Sequence, residues 1–267
     1  DGGAGTDTVS ITGLGATTTL STFGMVNIEN VQVQGTAGTA STIATSGMTG
    51  LQTVTFVENA TTSTDQTAND LAAGVGIVIN QINGGDVGIV NLGLADASGT
   101  ADALTVTAKV TSGDGAESIE DISFTNIETL NLVSTVLGTT ATLTTDSNTI
   151  ADISADSTLS KIAITGETYL TATVGSEATA LATIDASAFT GNLALTVSAV
   201  ANNAITAGAG DDTITMGTTL NNGDTIDGGA QGSTATSGDT VTATINGLTT
   251  TTGALHISNV EKINLDT

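Results

Sequence analysis

The chain has 267 residues, of which 27 are Asp or Glu against three Lys and no Arg, a formal net charge of −24. Such a surface cannot neutralise phosphates, which excludes nucleic acid as a partner. The lack of Cys removes disulfides, thiol chemistry and thiolate zinc sites, and a single His leaves little for a triad. Disorder is set aside as well: only 11% of residues are charged, 39% are apolar and mean hydropathy is +0.25, enough to build a core. With 2% aromatics, that core suits a slender, layered body better than one large centre.

The chain opens on Gly2-Gly3-Ala4-Gly5-Thr6-Asp7-Thr8-Val9-Ser10, which fits Gly-Gly-x-Gly-x-Asp-x-apolar-x at every position. No basic and apolar leader precedes it, and a start inside a Gly-rich turn suggests a piece of something longer, with any secretion signal outside it. The longest apolar run, about Leu71–Ile79, is far shorter than the ~20 residues of a membrane helix, so no membrane insertion is expected.

Further on, period-2 alternation dominates. Val54 with Phe56, Leu104-x-Val106-x-Ala108-x-Val110, Leu170-x-Ala172-x-Val174 and Leu193-x-Leu195-x-Val197-x-Ala199 predict strands bounded by Gly, Asn, Asp and Ser. Asp65–Ala73 and Glu177–Ala182 carry weak helical signals, a turn or two at most. A phrase Asn–Ile/Val–Glu followed by alternating apolar residues occurs three times, at Asn27-Ile28-Glu29, Asn126-Ile127-Glu128 and Asn259-Val260-Glu261. Each follows a strand-opening Asp: Asp7, Asp102 and Asp239. Looser relatives lie at Thr149–Gly166 and Thr183–Val200. Repetition makes the three Glu a structural device, a turn cap or a cation ligand, rather than a catalytic pair. His256, between Leu255 and Ile257, is expected at the surface. Asn59-Ala60-Thr61 is a formal glycosylation triplet of little weight in a Thr-rich chain.

These features predict an all-β chain: a right-handed parallel β-helix or β-roll-like solenoid of short strands with Gly/Asp-rich calcium-binding turns. Thr favours strands and faces water, Gly serves the tight turns, and the absence of Pro leaves ladder hydrogen bonds intact. A string of small antiparallel sandwiches is the competing arrangement. Three stretches are distinguished: 1–34, the end of one β module that begins in a Gly-rich turn; 35–200, diverged Thr/Ala-rich modules; and 201–267, calcium-type turns followed by a closing module.

The chemistry concentrates in the Gly/Asp turns. Ala207-Gly208-Ala209-Gly210-Asp211-Asp212-Thr213-Ile214-Thr215 repeats the nonapeptide with one Gly replaced. Asp227-Gly228-Gly229-Ala230 begins it again, and after Gln231–Ser237 it is completed by Gly238-Asp239-Thr240-Val241. Asn222-Gly223-Asp224-Thr225-Ile226 is a degraded half-turn. Glycines aim carbonyls inward and the Asp adds a carboxylate, so stacked turns can surround Ca²⁺ with six to eight oxygens; Mg²⁺ wants a stricter shell. An EF-hand at Asn222–Gly228 fails on its Asp spacing. By register Asp212 is the inward residue, followed by Ile214, and Asp211 faces solvent.

These turns resemble the calcium-binding RTX repeat of type I-secreted proteins. The wider pattern, with Thr/Ala-rich modules carrying Asn–Val/Ile–Glu, is similar to RTX-type bacterial surface-layer (S-layer) proteins and their adhesin relatives. The resemblance implies Ca²⁺ held by Gly2, Gly3, Gly5, Asp7, Gly208, Gly210, Asp212, Asp224, Asp227, Gly229 and Asp239. It implies an extracellular, self-assembling, non-catalytic segment whose partners are copies of itself in a two-dimensional lattice, with cell-surface polysaccharide contacted through regions outside this chain. The stalk of a type I-secreted RTX adhesin is the alternative, and an enzyme tail finds neither Gly-x-Ser-x-Gly nor His-Glu-x-x-His here.

Overall fold

The computed structural model describes all residues except 15–17, 21–23, 36–38, 59–62, 83–85, 114, 139–145, 200–201, 232–236, 245–254 and 267. The Asn59–Thr61 triplet therefore lies outside the described residues. Among those described the chain is all-β. Two sheets of eleven strands each, with a two-stranded ribbon of Ala209–Gly210 and Ala230–Gln231, are built entirely of parallel pairs. Successive strands alternate between the large sheets, so each coil gives one strand to each and stacks on the next. This is a parallel β-solenoid, and parallel pairing rules out the antiparallel sandwiches.

Register follows from the alternation. In the first sheet Val9, Val31, Val54, Ile77, Val106, Leu132 and Ile164 stack in one inward column. In the second, Ile150, Ala172, Leu195, Ile214 and Val241 do the same, and Ile263 of the last strand, next in register, is left exposed. A slip of one residue would turn a whole column to solvent. The inward residues of both sheets join one apolar cluster, so the sheets pack face to face. Phe56 and Phe189 are its largest fully buried members. Thr, Ser and Asn take the outward positions.

Two local readings are corrected. Thr64–Leu71 is a strand rather than helix, with the pattern of buried Thr64, Gln66, Ala68 and Leu71 fixed by pairing on both sides. Glu177–Ala182 is a turn that buries Ala178 and Leu181. In both, tertiary pairing overrides weak helical propensity. No described helix is long and apolar enough to cross a membrane.

Candidate functional site

The three Asn–Ile/Val–Glu phrases build one recurring node. The Asn takes a left-handed backbone, with φ of 54° at Asn27, 56° at Asn126 and 52° at Asn259. Asn tolerates this conformation better than other side chains do. The bend drops the next residue toward the core and swings the Glu back along the solenoid axis. There it meets the strand-opening Asp of the preceding coil. The N–H of Asp7 donates to Glu29 Oε2 at 2.7 Å, that of Asp102 to Glu128 Oε2 at 2.7 Å, and that of Asp239 to Glu261 Oε2 at 2.7 Å. The Glu is thus an inter-coil clasp, the turn-cap alternative of the sequence reading. Its carbonyl is used too: Glu29 O accepts from Gln52 and Thr53 N–H, and Glu128 O from Ser160 and Lys161 N–H.

The first and third nodes match further. Asp1 Oδ1 accepts from Gly3 N–H and Asn27 Nδ2, both at 3.0 Å. Asp227 Oδ1 accepts likewise from Gly229 N–H at 3.0 Å and Asn259 Nδ2 at 2.7 Å. Gly2 and Gly228 each donate to a carbonyl of the next coil, Val26 O and Ser258 O. Only glycine fits at these two places: a Cβ would lie 2.7 Å from Asp7 Oδ2 on Gly2 and 2.9 Å from Asp239 Oδ2 on Gly228. Yet the first node opens strands in the first sheet and the third in the second sheet, so equivalent nodes sit at different corners of the coil.

Among the residues proposed for calcium, Gly3, Gly5, Gly210 and Gly229 all adopt positive φ, and Gly208 packs its backbone on that of Phe189. The carboxylates separate into two kinds. Asp7 Oδ2 is buried and has no hydrogen-bond partner, so the opening turn offers an oxygen that a cation could take. Asp212 and Asp224 have both oxygens hydrogen-bonded. Asp212 Oδ1 accepts Leu193 N–H at 2.8 Å and its Oδ2 accepts Gly208 N–H at 3.1 Å. Asp224 Oδ1 accepts Asn203 N–H at 2.8 Å and its Oδ2 accepts Asn221 N–H at 2.7 Å. Both oxygens of each thus cap backbone N–H groups in the interior. Asp239 stands between: Oδ1 accepts Asp212 N–H at 2.7 Å, and Oδ2 accepts Gln231 Nε2 at 3.2 Å.

The result is a column along one corner, in which Asp212 caps Leu193, Asp239 caps Asp212 and Glu261 caps Asp239. Burial, and then the charges of Asp239 and Asp211, push the Asp212 carboxyl up to about 6. Asp239 is raised by burial and by Glu261, Asp211 and Asp227, and Asp224 by burial. Inward placement of Asp212 and Ile214 agrees with the sequence register. Asp211 is corrected: it is part-buried and accepts the N–H of Ser237 and of Gly238 rather than facing free solvent. His256 is exposed on an outer strand position.

The interior holds further polar groups. Glu58 accepts from Thr64 Oγ1 and Gln66 Nε2, and Asn148 donates to Ser134 Oγ, in the interior where the first sheet turns into the second. Single polar residues at strand ends give no signal that distinguishes them from solvated loop residues. Among the described residues, no three carboxylate or imidazole groups converge as a metal site would require. Comparison with protein-family models, characterised proteins and solved structures found no match to the chain in any of the three.

Proposed function

We propose that the chain is a structural segment of an extracellular, self-assembling bacterial surface layer whose shape calcium helps to set. The observation that carries the reading is the opening turn. It is a complete nonapeptide, and its Asp7 holds a buried oxygen with no protein partner. Asp7 and the adjoining Gly-rich backbone would hold the ion; when bound, it supplies positive charge to a chain that has almost none of its own. Outside the cell, millimolar Ca²⁺ suits sites of this oxygen-only kind, whereas a cytosol poor in Ca²⁺ leaves the acidic turns repelling one another. Type I secretion fits a chain that folds on arrival.

A non-catalytic role is supported by the occupation of the repeated carboxylates. Glu29, Glu128 and Glu261 each hold a backbone N–H through Oε2, the same structural task in all three copies. The adhesin stalk is kept as a second reading because the two sheets run unbroken through eleven strands, a spacer about 50 Å long at ~4.8 Å per coil.

Electron microscopy of the chain in Ca²⁺ and in Na⁺ at equal ionic strength tests this. Ordered sheets in Ca²⁺ and monomer in Na⁺ are expected. Isolated rods in both would favour the stalk, and equal sheet formation in both would remove calcium from the account.

A further inference from the structure

We propose that the outward face of the second sheet between Tyr169 and Thr244 binds ice, presenting two rows of threonine to a crystal plane. The rows follow from the register. Thr171, Ala194, Thr213 and Thr240 are direct partners on successive coils, and so are Thr173, Thr196, Thr215 and Thr242. Pairing is one to one through all of these positions, so seven threonines and Ala194 form an unbroken grid, two residues wide and four coils long. Thr149 extends the first row by one coil, and Lys262 and Asn264 close the two rows at the other end. Thr213 is exposed and the other threonines of the grid are partly exposed, while Ala172, Leu195, Ile214 and Val241 between the rows are buried.

Charge, spacing and stiffness point to one partner. None of the strands Tyr169–Val174, Leu193–Val197, Thr213–Gly217 and Thr240–Thr244 holds a charged residue, in a chain of net charge −24. The strands on either side do, at Asp152, Lys262 and Asp266, and so does the first sheet of the same coils, at Asp185 and Asp227. A charged face keeps its hydration shell, whereas a neutral one can exchange it for the water of a crystal. Threonines in one strand lie about 6.6 Å apart and those on neighbouring coils about 4.8 Å, both within about a tenth of the two repeats of the prism face of hexagonal ice. Threonine is stiff at χ1, so hydroxyls and methyls are arrayed before contact and little order is lost on binding. A flat saccharide would want aromatic rings to stack on, and Tyr169 at the border is the only one in these strands. A second copy would want more area: the patch covers roughly 300 Å², against about 800 Å² per partner in a stable complex.

This face does not rest on the surface-layer reading, and its test does not depend on assembly. Thermal hysteresis and partition into slowly grown ice are measured in Ca²⁺ buffer on the 267-residue chain and on Thr215→Tyr, Thr215→Val and Thr105→Tyr. The wild type should hold ice growth below the melting point and enter the ice. Thr215→Tyr, whose ring stands proud of the grid, should lose most of the hysteresis, and Thr215→Val, which keeps the branched shape, should lose less. Thr105→Tyr, at an outward position of the first sheet, should match the wild type. Melting temperature reports whether each variant is folded, and Thr196→Lys, which puts a charge into the grid, serves if Thr215→Tyr melts low. A wild type with no more hysteresis than serum albumin, or an equal loss in Thr105→Tyr, overturns the proposal. So does a wild type without hysteresis whose dimers, seen by sedimentation, are dispersed by Thr215→Tyr, because the face then joins copies.

Discussion

At the scale of single residues, the carboxylates act mainly on backbone. Removing the clasp tests this. In chelator, Glu29→Ala leaves the Asp7 N–H without its partner and should cost about 1–3 kcal/mol in urea unfolding, while Glu29→Gln keeps an acceptor and should cost less. The Asn of the node makes a separate contribution through its backbone. At Asn126, φ 56°, Ala should cost about 1–2 kcal/mol and Gly little, an ordering opposite to that of an ordinary strand position.

Asp212 adds a pH dependence. Its carboxyl is raised to about 6 by burial, above the value of the unfolded chain, so the folded state binds the proton more tightly. Stability from this group is complete below about pH 4 and is lost as pH rises through about 6. Melting temperature in EGTA should therefore climb as pH falls from about 7 toward about 4.5, and Asp212→Asn should flatten the climb. A wild-type profile already flat over that interval would contradict the burial argument.

At the scale of elements, the same alternation has different weight in different coils. Leu132 is fully buried between Val106 and Ile164, whereas Leu265, in the equivalent place of the third phrase, is 42% exposed. Leu132→Ala should cost about 2–5 kcal/mol and Leu265→Ala under about 1, measured by chemical unfolding. Strand positions were legible because period 2 and β-branched residues coincide, as at Leu104–Val110 and Leu193–Val197. Parallel pairing was legible only through the repeats, since Asp and Glu recur at nearly one coil length. The node's parts were visible as a phrase, but its function was not. Whether a carboxylate oxygen meets an N–H depends on where the next coil places its backbone: Asp7 and Asp212 sit in similar local sequence, yet both oxygens of Asp212 accept backbone N–H groups while Asp7 Oδ2 accepts none. The buried Glu58 had no sequence signal because what buries it, Gln66 and the turn of the coil, is set by pairing between coils.

At the scale of the whole molecule, −24 charges are spread over a rod whose described residues show one ion pair, Lys161 with Asp185. Self-repulsion should then be a large term against folding. Raising NaCl from roughly 10 mM to roughly 1 M shrinks the screening length from about 30 to 3 Å and should raise the melting temperature steadily, calcium absent. A falling melt would contradict self-repulsion as the dominant charge term.

Stacked coils also decide how the rod bears load. Every ladder bond between coils runs along the long axis, so tension applied at the two ends pulls on successive coils in series, and no cross-link spans from one end to the other. The rod should come apart one coil at a time. The released lengths should be uneven, because Thr129 meets Lys161 32 positions on, while Thr183 meets Ala204 only 21 on. At 3.3–3.6 Å per residue, single-molecule extension should show steps of roughly 70 to 110 Å, a sawtooth whose irregular teeth mirror the uneven coil lengths.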